Sequence, residues 1–205
     1  STPFGRADLE EIVPLQPDAI RFPKTETVQE LADLIRMIEE IEDKHNLPHD
    51  QMKIHAMIET AIGVQNVYQI ASYSKRVDAI TIGGQDLTAD MGIAKTKDNA
   101  GIDYARKQIV MAAKANGIDA IDTVFADVDD EDGLREETDY AKKIGFSGKA
   151  VINPRQIDIV NEVFMPTEEE IRKASRIYKG WIKAKAEGLG VFAIDGKMVD
   201  APVME

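Results

Sequence analysis

Strand-like and helix-like segments alternate along this chain, and that alternation constrains its fold more than any other feature. Short apolar runs at 19–22, 54–59, 79–82 and 120–125 each precede a stretch long enough for a crossover helix, and a fifth run, 149–152, follows Gly148. Such crossovers join parallel strands, so the pattern predicts a parallel sheet with helices outside. The helices carry their own signals. Thr27 and Glu30 form a capping box ahead of Val28, Leu31, Leu34, Ile35, Ile38 and Ile41, whose spacing places them on one face. Further crossover helices are predicted at 63–73, 100–116 and 134–144, the last stopped by Gly145. A second capping box, Thr167 with Glu170, opens a long helix through Ile171, Ala174, Tyr178, Trp181 and Ile182. Gly188-Leu189-Gly190 then leads into a hairpin-like tail over 191–200.

A closed barrel of eight βα units takes about 250 residues. This chain has 205. The expectation is therefore an α/β fold of the (β/α)8 TIM-barrel type, incomplete, with about the last five strands present and the first three missing. Residues 1–165 would form the partial, catalytic barrel, and 166–205 a C-terminal helix and tail in contact with a neighbouring subunit.

Composition narrows the function. Twenty-five basic against 37 acidic residues give a net charge of -12, which repels a phosphate backbone, so nucleic acid is not an expected partner. The absence of cysteine excludes disulfides, thiolate metal sites and a cysteine nucleophile, and suits a reducing cytoplasm. No run approaches the length of a membrane span, and the first residues lack the basic and apolar regions of a signal peptide. A cytoplasmic, membrane-free protein is expected.

Glu59 and Asp86 carry the chemistry. Each closes an apolar strand-like run, 53–59 and 77–86. Neighbouring strands lie about 4.8 Å apart, and a βα barrel gathers its chemistry at the strands' C-terminal rim, so two such carboxylates can share one divalent ion. One or two hard oxygen ligands, completed by substrate and water, suit Mg²⁺ better than Zn²⁺. Gly83 and Gly84 let the backbone approach a bound anion. A single acid of this kind is most often a solvated strand end; the pair, at equivalent places in two successive units, points to a metal.

Other motifs fail on context. Gly188-x-Gly190-x-x-Ala193 follows a helix where a dinucleotide fingerprint requires a strand. In the acidic run 127–133, placing Gly133 at the sixth position of a calcium loop makes Val128 the first ligand. Gly145 to Lys149 lacks the glycine spacing and hydroxyl of a phosphate loop. His45, His49 and His55 show no metal-ligand spacing; His55 shares Glu59's side of its strand but lies about 13 Å further down, which favours a place in the barrel interior. Core packing is the expectation for Trp181 and the tyrosines.

Taken in order, Phe22-Pro23-Lys24-Thr25-Glu26, Met57-Ile58-Glu59-Thr60-Ala61, Gly83-Gly84-Gln85-Asp86-Leu87, Ala120-Ile121-Asp122-Thr123-Val124, the run 148–156 and the run 196–202 resemble the citrate lyase beta subunit and its acyl-CoA lyase relatives. The resemblance covers the whole chain. It implies a Mg²⁺-dependent (β/α)8 barrel that cleaves a citryl or related 3-hydroxyacyl thioester into an acetyl thioester and a 2-oxo acid such as oxaloacetate. It also implies that Glu59 and Asp86 are the metal ligands and that Asp200 is the general base. Lys24 and Arg21 would meet the phosphates of a thioester carrier, coenzyme A or an acyl carrier protein. The helix from Thr167 and the tail, which extend past the last strand, predict a homo-oligomer such as a trimer, and the resemblance implies other citrate lyase subunits as partners. Malyl- or citramalyl-CoA lyase and 2-oxo acid aldolase chemistry are the neighbouring alternatives within the same superfamily. From another class, a truncated, non-catalytic half-barrel is the alternative, because the family's substrate-binding arginine from a preceding strand is absent here.

Overall fold

The computed structural model describes residues 4–194 and 196–200. The chain divides into two compact units, the first ending at Phe164 and the second beginning at Met165.

The first unit holds one sheet. Helix α1 (Gly5–Ile12) and a short 3-10 turn lead into β1 (Ala19–Phe22), and the chain continues as α2 (Val28–Lys44), β2 (Lys53–Ile58), α3 (Ala61–Ser72), β3 (Val77–Ile82) and α4 (Gly84–Asp90). A second 3-10 turn (Ala100–Ile102) opens into α5 (Asp103–Ala115), followed by β4 (Asp119–Asp122), α6 (Glu131–Ile144), β5 (Gly148–Lys149) and α7 (Arg155–Phe164). The five strands are all parallel and lie side by side in sequence order. Alternation decides what each strand buries. Ile54, Ala56 and Ile58 are fully buried, in one cluster with Leu31, Leu34 and Ile38 of α2 and Val64, Val67 and Ile70 of α3. Lys53, His55 and Met57 face the other way and are half-buried. His55 is in register with Arg21 of β1 and lies 3.3 Å from Asp78.

The capping box of α2 is present in full, Thr27 accepting from the Glu30 amide while Glu30 accepts from the Thr27 amide. Gly145 ends α6 in the left-handed conformation. Two strands are shorter than the sequence predicts. Strand β4 stops at Asp122 and β5 spans two residues, because the Gln156 side chain takes over beyond them. It accepts from the Ile152 amide at 3.1 Å and donates to the Phe125 carbonyl at 2.9 Å. A buried side-chain amide thus satisfies main-chain groups that a longer ladder would have paired. A second buried device joins α2 to the start of β3: Arg76, 1% exposed, donates to both Glu42 oxygens at 3.0 and 2.6 Å and to the Met52 carbonyl.

The second unit comprises α8 (Glu168–Ala186), opened by the Thr167–Glu170 capping box, and an antiparallel hairpin of β6 (Phe192–Ile194) and β7 (Lys197–Val199). Trp181 of α8 stacks obliquely on Phe192, with ring centroids 6.2 Å apart. The expectation that the tyrosines pack in a core fails for four of the five: Tyr68, Tyr73, Tyr104 and Tyr178 are exposed, whereas Tyr140 is half-buried with its ring against Arg106 and its hydroxyl donating to Asp103. Among the described residues no helix is long and apolar enough to cross a membrane.

Candidate functional site

Glu59 is the first residue after β2, and parallel pairing of β2 with β3 brings Gly83 beside it. The Gly83 amide donates to the Ile58 carbonyl at 3.0 Å, continuing the ladder to the rim. A Cβ on Gly83 would overlap the Glu59 carboxylate, so only glycine lets that side chain lie across the strand end. Glu59 is 6% exposed. Its Oε2 accepts from the Lys24 amide at 2.8 Å. Lys24 holds a left-handed backbone with φ of 48°, rare for a residue other than glycine, and the turn is fixed by the Thr25 amide donating to the Met57 carbonyl at 2.9 Å.

Asp86 does not close a strand, as the sequence suggested. It sits in the first turn of α4, which starts at Gly84 immediately after the strand. The outcome for the rim is the same, since the helix begins where β3 ends. Lys24 Nζ lies 3.5 Å from Asp86 Oδ1. One residue therefore meets both carboxylates, Glu59 through its amide and Asp86 through its ammonium. Burial pushes the Glu59 carboxyl above its ordinary value; the Lys24 amide pulls it down, the charge of Asp86 pushes it further up, and the Lys24 ammonium opposes that. Burial prevails.

Arg21 is exposed within β1, on the face shared with His55, one residue before the strand's end. Gly84 is wedged: its amide donates to Thr123 Oγ1 at 3.0 Å, and a Cβ there would lie 2.8 Å from that hydroxyl and 2.9 Å from Ile102 Cδ1. Asp200 follows β7 in the second unit and is half-buried. Residues 201–205, which complete the run 196–202, lie outside the described residues. Among the described residues no three His, Asp or Glu side chains gather around one point, so the rim offers two carboxylates and no more.

Sequence reasoning missed a charged cluster beneath this rim. Asp122, wholly buried, accepts from Arg106 Nε and Nη2 at 3.0 and 2.8 Å and from Lys149 Nζ at 2.9 Å. Lys149 also donates to Glu137 and, at 2.7 Å, to the Thr123 carbonyl; Glu137 in turn accepts from Asn99 at 2.6 Å. The signal lay in α5, where Arg106 falls among Ile102, Ala105, Ile109 and Val110 on the buried face. A cavity of about 590 Å³ lies against Asp103, Arg106, Glu136, Glu137 and Tyr140, and neither Glu59 nor Asp86 lines it.

Residues 1–154 match the model of the HpcH/HpaI aldolase/citrate lyase family. The chain belongs to this family. Over 203 residues it is 40% identical to the citrate lyase subunit beta of Leuconostoc mesenteroides subsp. cremoris, covering 99% of this chain and 67% of that one. It is 34% identical to the mitochondrial citramalyl-CoA lyase of Rattus norvegicus over all of this chain and 63% of that one. Among solved structures, the citrate lyase beta subunit from M. tuberculosis complexed with oxaloacetate and magnesium superposes with a TM-score of 0.68, at 27% identity over 81% of this chain and 70% of that one. This member of the aldolase/citrate lyase family thus spans about two thirds of the length of its curated citrate lyase relatives.

Proposed function

We propose that this chain forms the metal-binding rim of a Mg²⁺-dependent carbon–carbon lyase, cleaving a citryl or related 3-hydroxyacyl thioester to an acetyl thioester and a 2-oxo acid such as oxaloacetate. The observation that carries the reading is the buried Glu59 carboxylate set beside Asp86 at the ends of adjacent βα units, in a chain 40% identical to a citrate lyase subunit beta. The residues fit a hard divalent cation. Two carboxylate side chains from adjacent units lie close enough for one lysine to meet both, one of them buried, and that lysine's ammonium already supplies positive charge between them.

Glu59 and Asp86 would hold the ion. Bound there, Mg²⁺ supplies Lewis-acid stabilisation of negative charge on the substrate's oxygens. The side chains of this chain do the rest. Asp200, supplied by a neighbouring copy of the chain, would act as general base and take the proton of the substrate hydroxyl; the oxygen's electrons form the new carbonyl as the carbon–carbon bond breaks, and the bonding pair passes to the thioester fragment as an enolate that a proton then quenches. Gly83 and Gly84 would border the substrate's anionic end, their missing Cβ atoms letting Glu59 and Thr123 pack against the rim there, and Lys24 and Arg21 would attract the phosphates of coenzyme A or of an acyl carrier protein. A cytoplasmic homo-oligomer, a trimer, working with other citrate lyase subunits, completes the proposal; α8 and the hairpin would provide its subunit contacts.

The 34% identity to a citramalyl-CoA lyase favours a second reading, cleavage of citramalyl- or malyl-CoA or of a free hydroxy-oxo acid by the same site. Incubating the chain with citryl-, citramalyl- and malyl-CoA and Mg²⁺, and measuring oxaloacetate, pyruvate and glyoxylate, separates the two by product. Release is expected to vanish with EDTA and in Glu59→Gln. Release that survives both would overturn the metal reading.

A further inference from the structure

Helix α4 carries Asp86 and is pinned at both ends, at its start by a side chain outside it and at its end by its own Asp90 side chain on an outside main-chain amide. At its start, the Gly84 amide has no helical carbonyl to meet, as for any first-turn amide, and donates to the Thr123 hydroxyl at 3.0 Å. At its end, Asp90 Oδ2 accepts from the Ala61 amide at 2.8 Å, two residues beyond Glu59. Thr123 is 2% exposed, and its own main chain is gripped from behind: its carbonyl accepts from Lys149, whose ammonium is fixed by Asp122 and Glu137. The hydroxyl is thus presented by a rigid, fully paired cluster.

We propose that Thr123 and Asp90 are positioning residues that set where Asp86 stands relative to Glu59, Thr123 through the Gly84 amide and Asp90 through the Ala61 amide. The proposal rests on the reading of Glu59 and Asp86 as metal ligands. Thr123→Val keeps the shape of the side chain, removes the acceptor and leaves the Gly84 amide unpaired, so α4 is no longer anchored to β4. Groups that orient metal ligands without touching the metal typically change affinity by about 10–100-fold.

The test is binding of Mn²⁺, the probe for a hard divalent cation, followed by electron paramagnetic resonance of the free ion in the 205-residue chain, alongside the melting temperature. Thr123→Val and Asp90→Asn are each expected to raise the Mn²⁺ Kd by about tenfold or more. Thr123→Ser, which restores the hydroxyl, should return within about threefold of the unmodified chain. If Thr123→Val does not fold, Asp90→Asn and Thr123→Ser decide. A lowered melting temperature with unchanged Mn²⁺ Kd in Thr123→Val and Asp90→Asn would reduce both residues to a structural role and overturn the inference. Unchanged Mn²⁺ binding in Glu59→Gln and Asp86→Asn would instead sink the metal reading on which it stands.

Discussion

Two groups of charges, linked through the Gly84–Thr123 hydrogen bond, are treated in opposite ways in this protein. Around Asp122, every charge is spent: two cations meet one carboxylate, Lys149 is shared with Glu137 and a carbonyl, and the side chains of Arg106, Asp122 and Lys149 are essentially without exposure. At the rim, Glu59 is buried with one amide and Asp86 has one half-exposed ammonium 3.5 Å away. Saturated charges hold a fold in one arrangement; charges left with unused lone pairs can take a ligand. Only the second group keeps lone pairs open to a ligand, and Thr123 links the first group to it through the Gly84 amide.

The largest effect should come from breaking the saturated group. Asp122→Ala strands Arg106 and Lys149 in the interior, and removing one partner of a buried ion pair costs about 3–5 kcal/mol. Urea unfolding of the two chains measures it. A loss well under about 1 kcal/mol would show that water reaches the cluster and that the contrast with the rim is false.

Next in size is Gly83→Ala. The added methyl overlaps the Glu59 side chain, so the carboxylate or the strand end must shift, at about 1–3 kcal/mol for an overpacked site. Divalent-ion binding should weaken with it. A variant as stable as its parent, with unchanged Mn²⁺ affinity, would mean that Glu59 has another rotamer open to it.

Lys24→Met sharpens the comparison from the rim side. The ammonium occupies part of the space in front of Asp86 that a cation would take, and an exposed pair of this kind is worth about 0.2–1 kcal/mol. Its removal should tighten Mn²⁺ binding by up to about fivefold, whereas a lysine that helped to hold the ion's surroundings would show weaker binding on removal.

The smallest effect is one of pH. The raised carboxyl of Glu59 means that the metal-free folded state holds this proton more tightly than the unfolded chain does. Glu59 therefore favours folding most below the ordinary glutamate value, and that contribution is lost as pH rises through the raised one. Glu59→Gln should flatten the melting temperature across that window while abolishing ion binding. A melting profile identical to that of the unmodified chain would show that the carboxyl is not penalised by its burial.

The sheet was legible in the sequence because its signals are local and repeated. The runs at 54–59 and 79–82 and the Thr27–Glu30 box announce themselves through period and capping, and they recur in the structure within a residue or two at most ends. Helix α4 was not, because Gly83-Gly84 is an unlikely place to start a helix and its seven residues are held through the Thr123 hydroxyl and the Ala61 amide, partners that no local pattern reveals. Helix α7 was overlooked for a similar reason: it follows Asn153-Pro154, and Gln156 within it is buried and bridges two loops. Of the site, Glu59 and Asp86 were visible as strand-end acids, but the part of Lys24 that matters most to Glu59 is its main-chain amide, which no side-chain code specifies. Arg106 and Asp122 carry no local signal of pairing, because their partnership appears only when both are placed on the buried face of their own elements.

The sequential order of the strands has a consequence for how the molecule is made. In a parallel sheet whose neighbours in space are also neighbours in sequence, each new strand need only find the one synthesised just before it, so the separations to be closed stay as short as crossovers permit. Growth can follow the ribosome, one βα unit at a time. Glu59 and Asp86 come from consecutive units, whereas Lys149, which grips Thr123, belongs to the fifth strand of this sheet and emerges well after both. The two carboxylates of the rim are therefore synthesised before the lysine that braces it, and the sheet's fifth strand is the closing pin of an edge already laid down.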